Sequence, residues 1–224
     1  MSKLISELER AFAAAADPQS AKKQSAYLRN LFPFWGIPKP QRALIEKKIF
    51  AEIKMRDSEE LERTLALLWQ RDEREFQYTA IALGKRYKKF WSLKTLDLVE
   101  KMIREKSWWD TVDDLAANLV GPLVKAHLEL ALRMDAWIED PYLWIRRTAL
   151  IFQLRWKKET DTTRLFGYCK KTMHEKEFFM RKAIGWALRE YSKTEPKQVS
   201  IFIKESSTLL SPLSIREGSK YLSC

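Results

Sequence analysis

Trp144-Ile145-Arg146-Arg147-Thr148-Ala149 returns 35 residues later as Phe179-Met180-Arg181-Lys182-Ala183-Ile184, with aromatic, apolar, basic, basic and small positions in the same order. Self-similarity at such a period marks stacked supersecondary units. The same step forward reaches Ser214-Ile215-Arg216-Glu217-Gly218, and a step of 68 backward reaches Phe76-Gln77-Tyr78-Thr79-Ala80. Midway along that longer gap lies Lys106-Ser107-Trp108-Trp109-Asp110-Thr111-Val112-Asp113-Asp114, which sets acids among large aromatics.

Around these units Leu, Ala, Lys, Arg and Glu recur at spacings of three and four, and only six Gly and eight Pro punctuate 224 residues. That pattern predicts helices and few strands or none. The expected helices cover 2–15, 20–32, 40–55, 58–69, 73–88, 93–105, 108–119, 124–137, 142–156, 161–172, 177–192, 196–206 and 212–222. Turn pairs such as Asp140-Pro141 and Ser211-Pro212 separate them. Helical pairs at this period predict an all-α, HEAT-like α-solenoid of roughly six repeats, with residues 1–224 as one domain. Each repeat buries its apolar face on its neighbours, and the second helices line a concave basic groove.

The formal charge is +11 and the pI near 9.6, with the basic excess spread among abundant acids. A folded basic protein of this kind suits a polyanion, and nucleic acid fits better than membrane because no apolar run is long enough to span a bilayer. The start, Met1-Ser2-Lys3-Leu4-Ile5-Ser6-Glu7, reads as a mixed-charge amphipathic helix rather than a signal peptide, so a cytoplasmic location is expected. Two cysteines, Cys169 and Cys224, give no disulfide framework. The two histidines, His127 and His174, lack metal-ligand spacing to other donors, and no phosphate-binding glycine loop occurs. No cofactor and no metal are expected.

Repeat register makes columns of spatial neighbours. One column reads Thr79, Asp113, Arg147, Lys182, Glu217, and the next reads Tyr78, Val112, Arg146, Arg181, Arg216. Arg146, Arg181 and Arg216 fit a structural ladder between units. Arg147 and Lys182, one step round the helix, are expected to face the groove and meet phosphate. Trp109 and Asp113 stand at i and i+4 on one helix face, with Trp108, Val112, Leu115 and Leu119 as the stripe toward the core. Trp186 follows Lys182 by one turn, and Gly185 beside it leaves room for close approach to the ring.

An acid between indole rings in a basic groove can stabilise a cation that develops beside a nucleic-acid backbone. Such a cation is the oxocarbenium ion formed when a glycosidic bond breaks, and Asp113 could also orient or deprotonate the attacking water. No lysine lies on an apolar helix face suited to Schiff-base chemistry, which favours hydrolysis by water.

Ser107-Trp108-Trp109-Asp110-Thr111-Val112-Asp113, Trp144 through Leu154, and Lys182 through Tyr191 resemble the AlkD-type DNA alkylation-repair glycosylases. Tyr27-Leu28-Arg29-Asn30 with Phe34-Trp35-Gly36-Ile37, and Arg74-Glu75-Phe76-Gln77, resemble the same family upstream. The similarity runs from about residue 4 to 222, in order and at family spacing. The resemblance implies removal of cationic N3- and N7-alkylated purines, 3-methyladenine and 7-methylguanine among them, from duplex DNA, without insertion of the damaged base into a pocket. It implies Asp113 as the catalytic acid, Trp109 and Trp186 as walls against the deoxyribose, and Arg147 at the lesion's backbone. Lys182 and Tyr27 are assigned with Arg147 to DNA binding, by a chain expected to act as a monomer. Some relatives lack the acid and bind DNA without excision; the presence of Asp113 argues against that branch.

The competing reading is a non-catalytic helical-repeat protein that binds nucleic acid or an acidic protein, with Asp113 as a ladder residue. A repeat code for single-stranded RNA fits poorly, because the columns lack the paired polar side chains that such codes use.

Overall fold

Residues 2–222 are described by the computed structural model, so Cys224 lies outside the described residues. Among these residues the chain is all-α, with no strand. It divides after Leu98 into two compact units.

The first unit holds α1 (Ser2–Ala14), α2 (Pro18–Tyr27), α3 (Lys39–Ala51), α4 (Ser58–Trp69), α5 (Arg74–Arg86) and the start of α6 (Thr95–Arg104). Helix starts follow local chemistry. Asp17 caps α2 by accepting from the Gln19 and Ser20 amides, and Asp57 caps α4 through the Glu60 amide. Leu61, Leu65, Leu68 and Trp69 form the buried stripe of α4, spaced to share one face against α5. Truncating Leu65, which is fully buried, to alanine would cost about 2–5 kcal/mol.

In the same unit, Arg74-Glu75-Phe76-Gln77 closes onto the loop that contains Phe32 to Ile37. The Glu75 carboxylate is fully buried and accepts from the amides of Trp35, Gly36 and Ile37 at 3.1, 2.9 and 3.1 Å. Arg74 stacks its guanidinium 3.8 Å from the Phe32 ring centre, while Gln77 donates to the Trp69 and Arg71 carbonyls. Gly36 is required here: its φ is 86°, and a Cβ would lie 2.2 Å from the Asp17 carbonyl oxygen. The two upstream motifs are therefore one structural clasp.

The second unit continues through α7 (Trp109–Leu115), α8 (Gly121–Ala126), α9 (Ala131–Trp137), α10 (Leu143–Ile151), α11 (Thr162–Thr172), α12 (Phe178–Ser192), α13 (Pro196–Glu205) and α14 (Pro212–Gly218). Here α7, α10, α12 and α14 stack in order, each packing on the next. Side-chain links at the repeat spacing join the layers, among them Ser107 Oγ to Tyr142 Oη at 2.7 Å and Arg104 to Asp140 at 2.5 Å.

Several boundaries differ from the sequence expectation: the helices expected over 40–55, 142–156 and 212–222 end early, at Ala51, Ile151 and Gly218, and two further differences have a clear local cause. The helix expected over 20–32 ends at Tyr27, because Arg29 and Asn30 both take left-handed φ of 58°. The helices expected at 108–119 and 124–137 are instead one run from Trp109 to Ala126, joined by a π-turn over Ala116–Val120, with α9 beginning at Ala131. Pro122 lacks an amide and crowds the preceding turn, and the wider turn absorbs it. Gly121 cannot carry a side chain there, since its Cβ would meet the Phe152 carbonyl oxygen at 2.1 Å.

Candidate active site

The α7 helix opens abruptly. Lys106 takes φ of 50° and Trp108 is extended, so the chain turns sharply before Trp109. Asp110 falls in the first turn, where the helix dipole favours an acid. Val112 and Leu115 are fully buried beneath, leaving Trp109 and Asp113 half-buried at the margin of the core.

Asp113 is held from the next layer. Arg147 Nε donates to Oδ1 at 2.7 Å and Arg147 Nη2 to Oδ2 at 2.8 Å, a bidentate pair between α7 and α10. The remaining guanidinium nitrogen, Nη1, donates to the Phe179 carbonyl on α12. Arg147 is 4% exposed, and every branch of its guanidinium is engaged within the protein. This differs from the groove-facing, phosphate-contacting position expected for it. The side chain is long enough to turn from the helix face toward the nearest buried acid, and desolvation makes that pairing obligatory.

A carboxylate has about four acceptor sites, and Arg147 occupies two. The Asp113 side chain retains 14% exposure, so its other lone pairs can meet water or a cation. Burial pushes the Asp113 carboxyl above the usual carboxylate range, and Asp110 and Asp114 add to the rise against the pull of Arg147. A carboxylate in this state is a stronger base than a solvated one.

Behind the pair stands an aromatic cluster that draws one ring from each of three layers. Trp108, Trp144 and Phe179 have ring centres 5.5, 5.2 and 5.0 Å apart, and the Arg147 guanidinium carbon lies 5.9 Å from the Phe179 centre. The sequence held the signal for this cluster in its repeat spacing, but the contribution of Phe179 to orienting Arg147 was not anticipated.

Trp186 is half-buried on α12, and Lys182 stands one turn before it. Lys182 Nζ pairs with Glu217 Oε1 at 3.2 Å while keeping 39% side-chain exposure. Glu217 also receives Arg189 at 2.8 Å and Lys220 at 3.4 Å. Burial pushes the Glu217 carboxyl up, and the lysines outweigh it to leave a net lowering. The role of Gly185 differs from the sequence reading. Its Cβ would sit 2.6 Å from Glu217 Cβ, so the glycine admits α14 rather than a ligand. Tyr27, in the first unit, is 73% exposed at the end of α2.

The ladder expectation divides. Arg146 makes a bidentate pair with Glu175 at 3.1 and 2.8 Å, and Arg181 donates to the Glu175 carbonyl, whereas Arg216 is exposed. Among the described residues, no group of three His, Cys, Asp or Glu side chains could hold a metal ion, and no helix is long and apolar enough to cross a membrane. Cys169 is buried, which pushes its thiol up to about 12 and makes it unreactive.

Comparison with known proteins places this arrangement. A family model described as DNA alkylation repair enzyme matches residues 8–222. A solved structure described as a predicted DNA alkylation repair enzyme from Enterococcus faecalis is 37% identical, with a TM-score of 0.86 over 93% of this chain and 97% of that one. The structure of AlkD2 from Streptococcus mutans is 20% identical and shares the fold, with a TM-score of 0.63 over 80% of this chain and 89% of that one. No curated protein sequence matches. With the family model spanning nearly the whole sequence and a well-covered relative at 37% identity, the chain belongs to the DNA alkylation repair enzyme family.

Proposed function

We propose that this protein is a monofunctional DNA glycosylase that hydrolyses the N-glycosidic bond of N3- and N7-alkylated purines, such as 3-methyladenine and 7-methylguanine, in duplex DNA. The observation that carries the proposal is the Asp113 carboxylate, fixed by a buried guanidinium yet still partly open to solvent, with Trp109 one turn away.

The chemistry needs little else. An alkylated purine already carries positive charge, so it departs with the bonding electrons as a neutral base and needs no protonation. The C1′–N bond breaks as positive charge builds on the sugar, and Asp113 and the indole faces of Trp109 and Trp186 stabilise that charge. Water then bonds to C1′, and its proton passes to Asp113 or to solvent. Arg147 acts as a positioning residue that fixes the carboxylate, while Lys182 and Tyr27 contact the DNA backbone. No base-reading pocket, metal or cofactor enters the scheme, and the protein works as a cytoplasmic monomer.

One observation favours a second reading. Thr79 donates to Glu46, Arg147 to Asp113 and Lys182 to Glu217 across 33, 34 and 35 residues, close to the repeat length, so the Asp113 pair also suits a purely structural ladder. In that case the protein binds DNA without excision. Release of free methylated purine from methylated duplex DNA, followed in the wild type and in folded Asp113→Asn, separates the two readings.

A further inference from the structure

A cleft of about 510 Å³ lies in the second unit, where α10, α11 and α12 meet the loop after α10. Two of its walls are the C-terminal parts of the helices that carry Arg147 and Trp186. On α12, Trp186, Glu190 and Lys193 follow at i, i+4 and i+7, and the latter two line the cleft. On α10, Leu150 lines it one turn beyond Arg147.

The loop is firmly built. Trp156 is buried against Phe152, their ring centres 5.3 Å apart. Gln153 clasps both backbone groups of Asp161, accepting from its amide at 2.7 Å and donating to its carbonyl at 3.3 Å. This ring of contacts holds Lys157 at φ of 53°, a strained conformation for a lysine. Arg155 and Lys157 project exposed from the loop, and neither has an acidic partner among the described residues. The loop's own acid, Glu159, is engaged by Lys125 at 2.6 Å, and the cleft's acid, Glu190, is engaged by Lys193 at 2.8 Å. Lys158, next to Lys157, is exposed and unpaired as well, so one rigid loop at the rim of the cleft carries three adjacent cations with no acid among the described residues to neutralise them, which suits an anion.

We infer that Arg155 and Lys157 form a subsite for a backbone phosphate of duplex DNA at this cleft, whose α12 wall at Glu190 lies one helical turn beyond Trp186. The inference rests on the proposed DNA-directed function and extends it to residues outside the Asp113 centre. The subsite grips the strand beside the reacting nucleotide and takes no part in bond cleavage. A phosphate there relieves the unpaired charge and releases condensed counterions.

The test measures binding of the full chain to unmodified duplex DNA by fluorescence anisotropy as salt is raised. Arg155→Gln combined with Lys157→Gly should make the slope of log K against log salt shallower by about 1.8, or roughly 0.9 for each lost contact. Affinity near physiological salt should fall on the order of tenfold or more. Melting temperature should hold or rise, because glycine relieves the strain at position 157. Lys197→Gln combined with Lys204→Gln removes equal charge from exposed positions of α13 and should leave the slope near wild type. An unchanged slope in the first variant, or an equal change in the second, overturns the subsite. A wild type that binds no duplex DNA overturns both the subsite and the proposed function. Selective loss of binding without base release by the wild type upholds the subsite and removes only the glycosylase reading.

Discussion

Arg147 grips both carboxylate oxygens of Asp113, at 2.7 and 2.8 Å, from a position 34 residues further along the chain. The pair couples two consecutive repeat layers and places a basic, partly exposed carboxylate beside Trp109. The consequences for Arg147 differ from those of a phosphate contact.

Replacing Arg147 with alanine leaves a buried carboxylate without its partner, at a cost of about 3–5 kcal/mol. Arg147→Lys keeps the charge but loses the bidentate fork and the bond to the Phe179 carbonyl. In a folded Arg147→Lys protein, base release should fall at least tenfold while the salt dependence of duplex binding stays unchanged. A shallower salt slope would restore Arg147 to the DNA backbone.

Asp113 serves as a base and anion only when ionised. Burial raises its carboxyl above the ordinary value of 3.8, so excision should decline as pH falls through that raised value, earlier than a solvated aspartate would allow. Single-turnover rates across the acid range read this directly, provided that the intrinsic lability of the alkylated base is subtracted. An acid limb at the ordinary carboxylate value would show that Asp113 is not desolvated.

A second buried acid offers a stability test away from the site. Glu46 Oε1 accepts both from Thr79 at 2.8 Å and from Arg42 at 3.2 Å, and burial pushes the carboxyl above 4.5. The folded chain therefore holds this proton more tightly than the unfolded chain. The associated stability is present below pH 4.5 and is lost as pH rises through the raised value. Glu46→Gln can keep both bonds on its single carbonyl oxygen and removes that loss. The stability of the variant relative to wild type, from urea melts, should improve with pH across this window and then level off.

The Glu75 clasp makes the opposite prediction. All three of its bonds come from backbone amides, so Glu75→Gln sets an amide group against a donor within a fully buried site. Unfolding free energy should fall by about 2–3 kcal/mol, as measured by denaturant titration. A change below the error of the titration would mean that the loop over Trp35 to Ile37 is held by other contacts.

The sequence was most legible where one spacing governs many residues. The offset of 35 between Trp144 and Phe179 revealed the stacked helices, and the column register put Asp113 beside Arg147 before any coordinates. It was least legible where a long side chain can choose its partner. Helical position located Arg147 near both the groove and Asp113, and only three-dimensional packing decided that its guanidinium turns inward. Gly185 read as room for close approach to the Trp186 ring, whereas it is the point at which α14 presses close. The Arg155–Lys157 loop was hidden inside the helix expected over 142–156, which ends at Ile151, because its character comes from a left-handed backbone at Lys157 and from an acid engaged elsewhere.

The most direct test of the central claim compares wild type with Asp113→Asn for release of free methylated purine from methylated duplex DNA, after melting curves confirm that both are folded. The account predicts release by the wild type and near-complete loss in the variant, with duplex binding largely retained. Equal release by the two proteins would contradict a catalytic Asp113, and no release by either, with binding intact, would leave the Asp113–Arg147 pair as a structural rung of a DNA-binding protein.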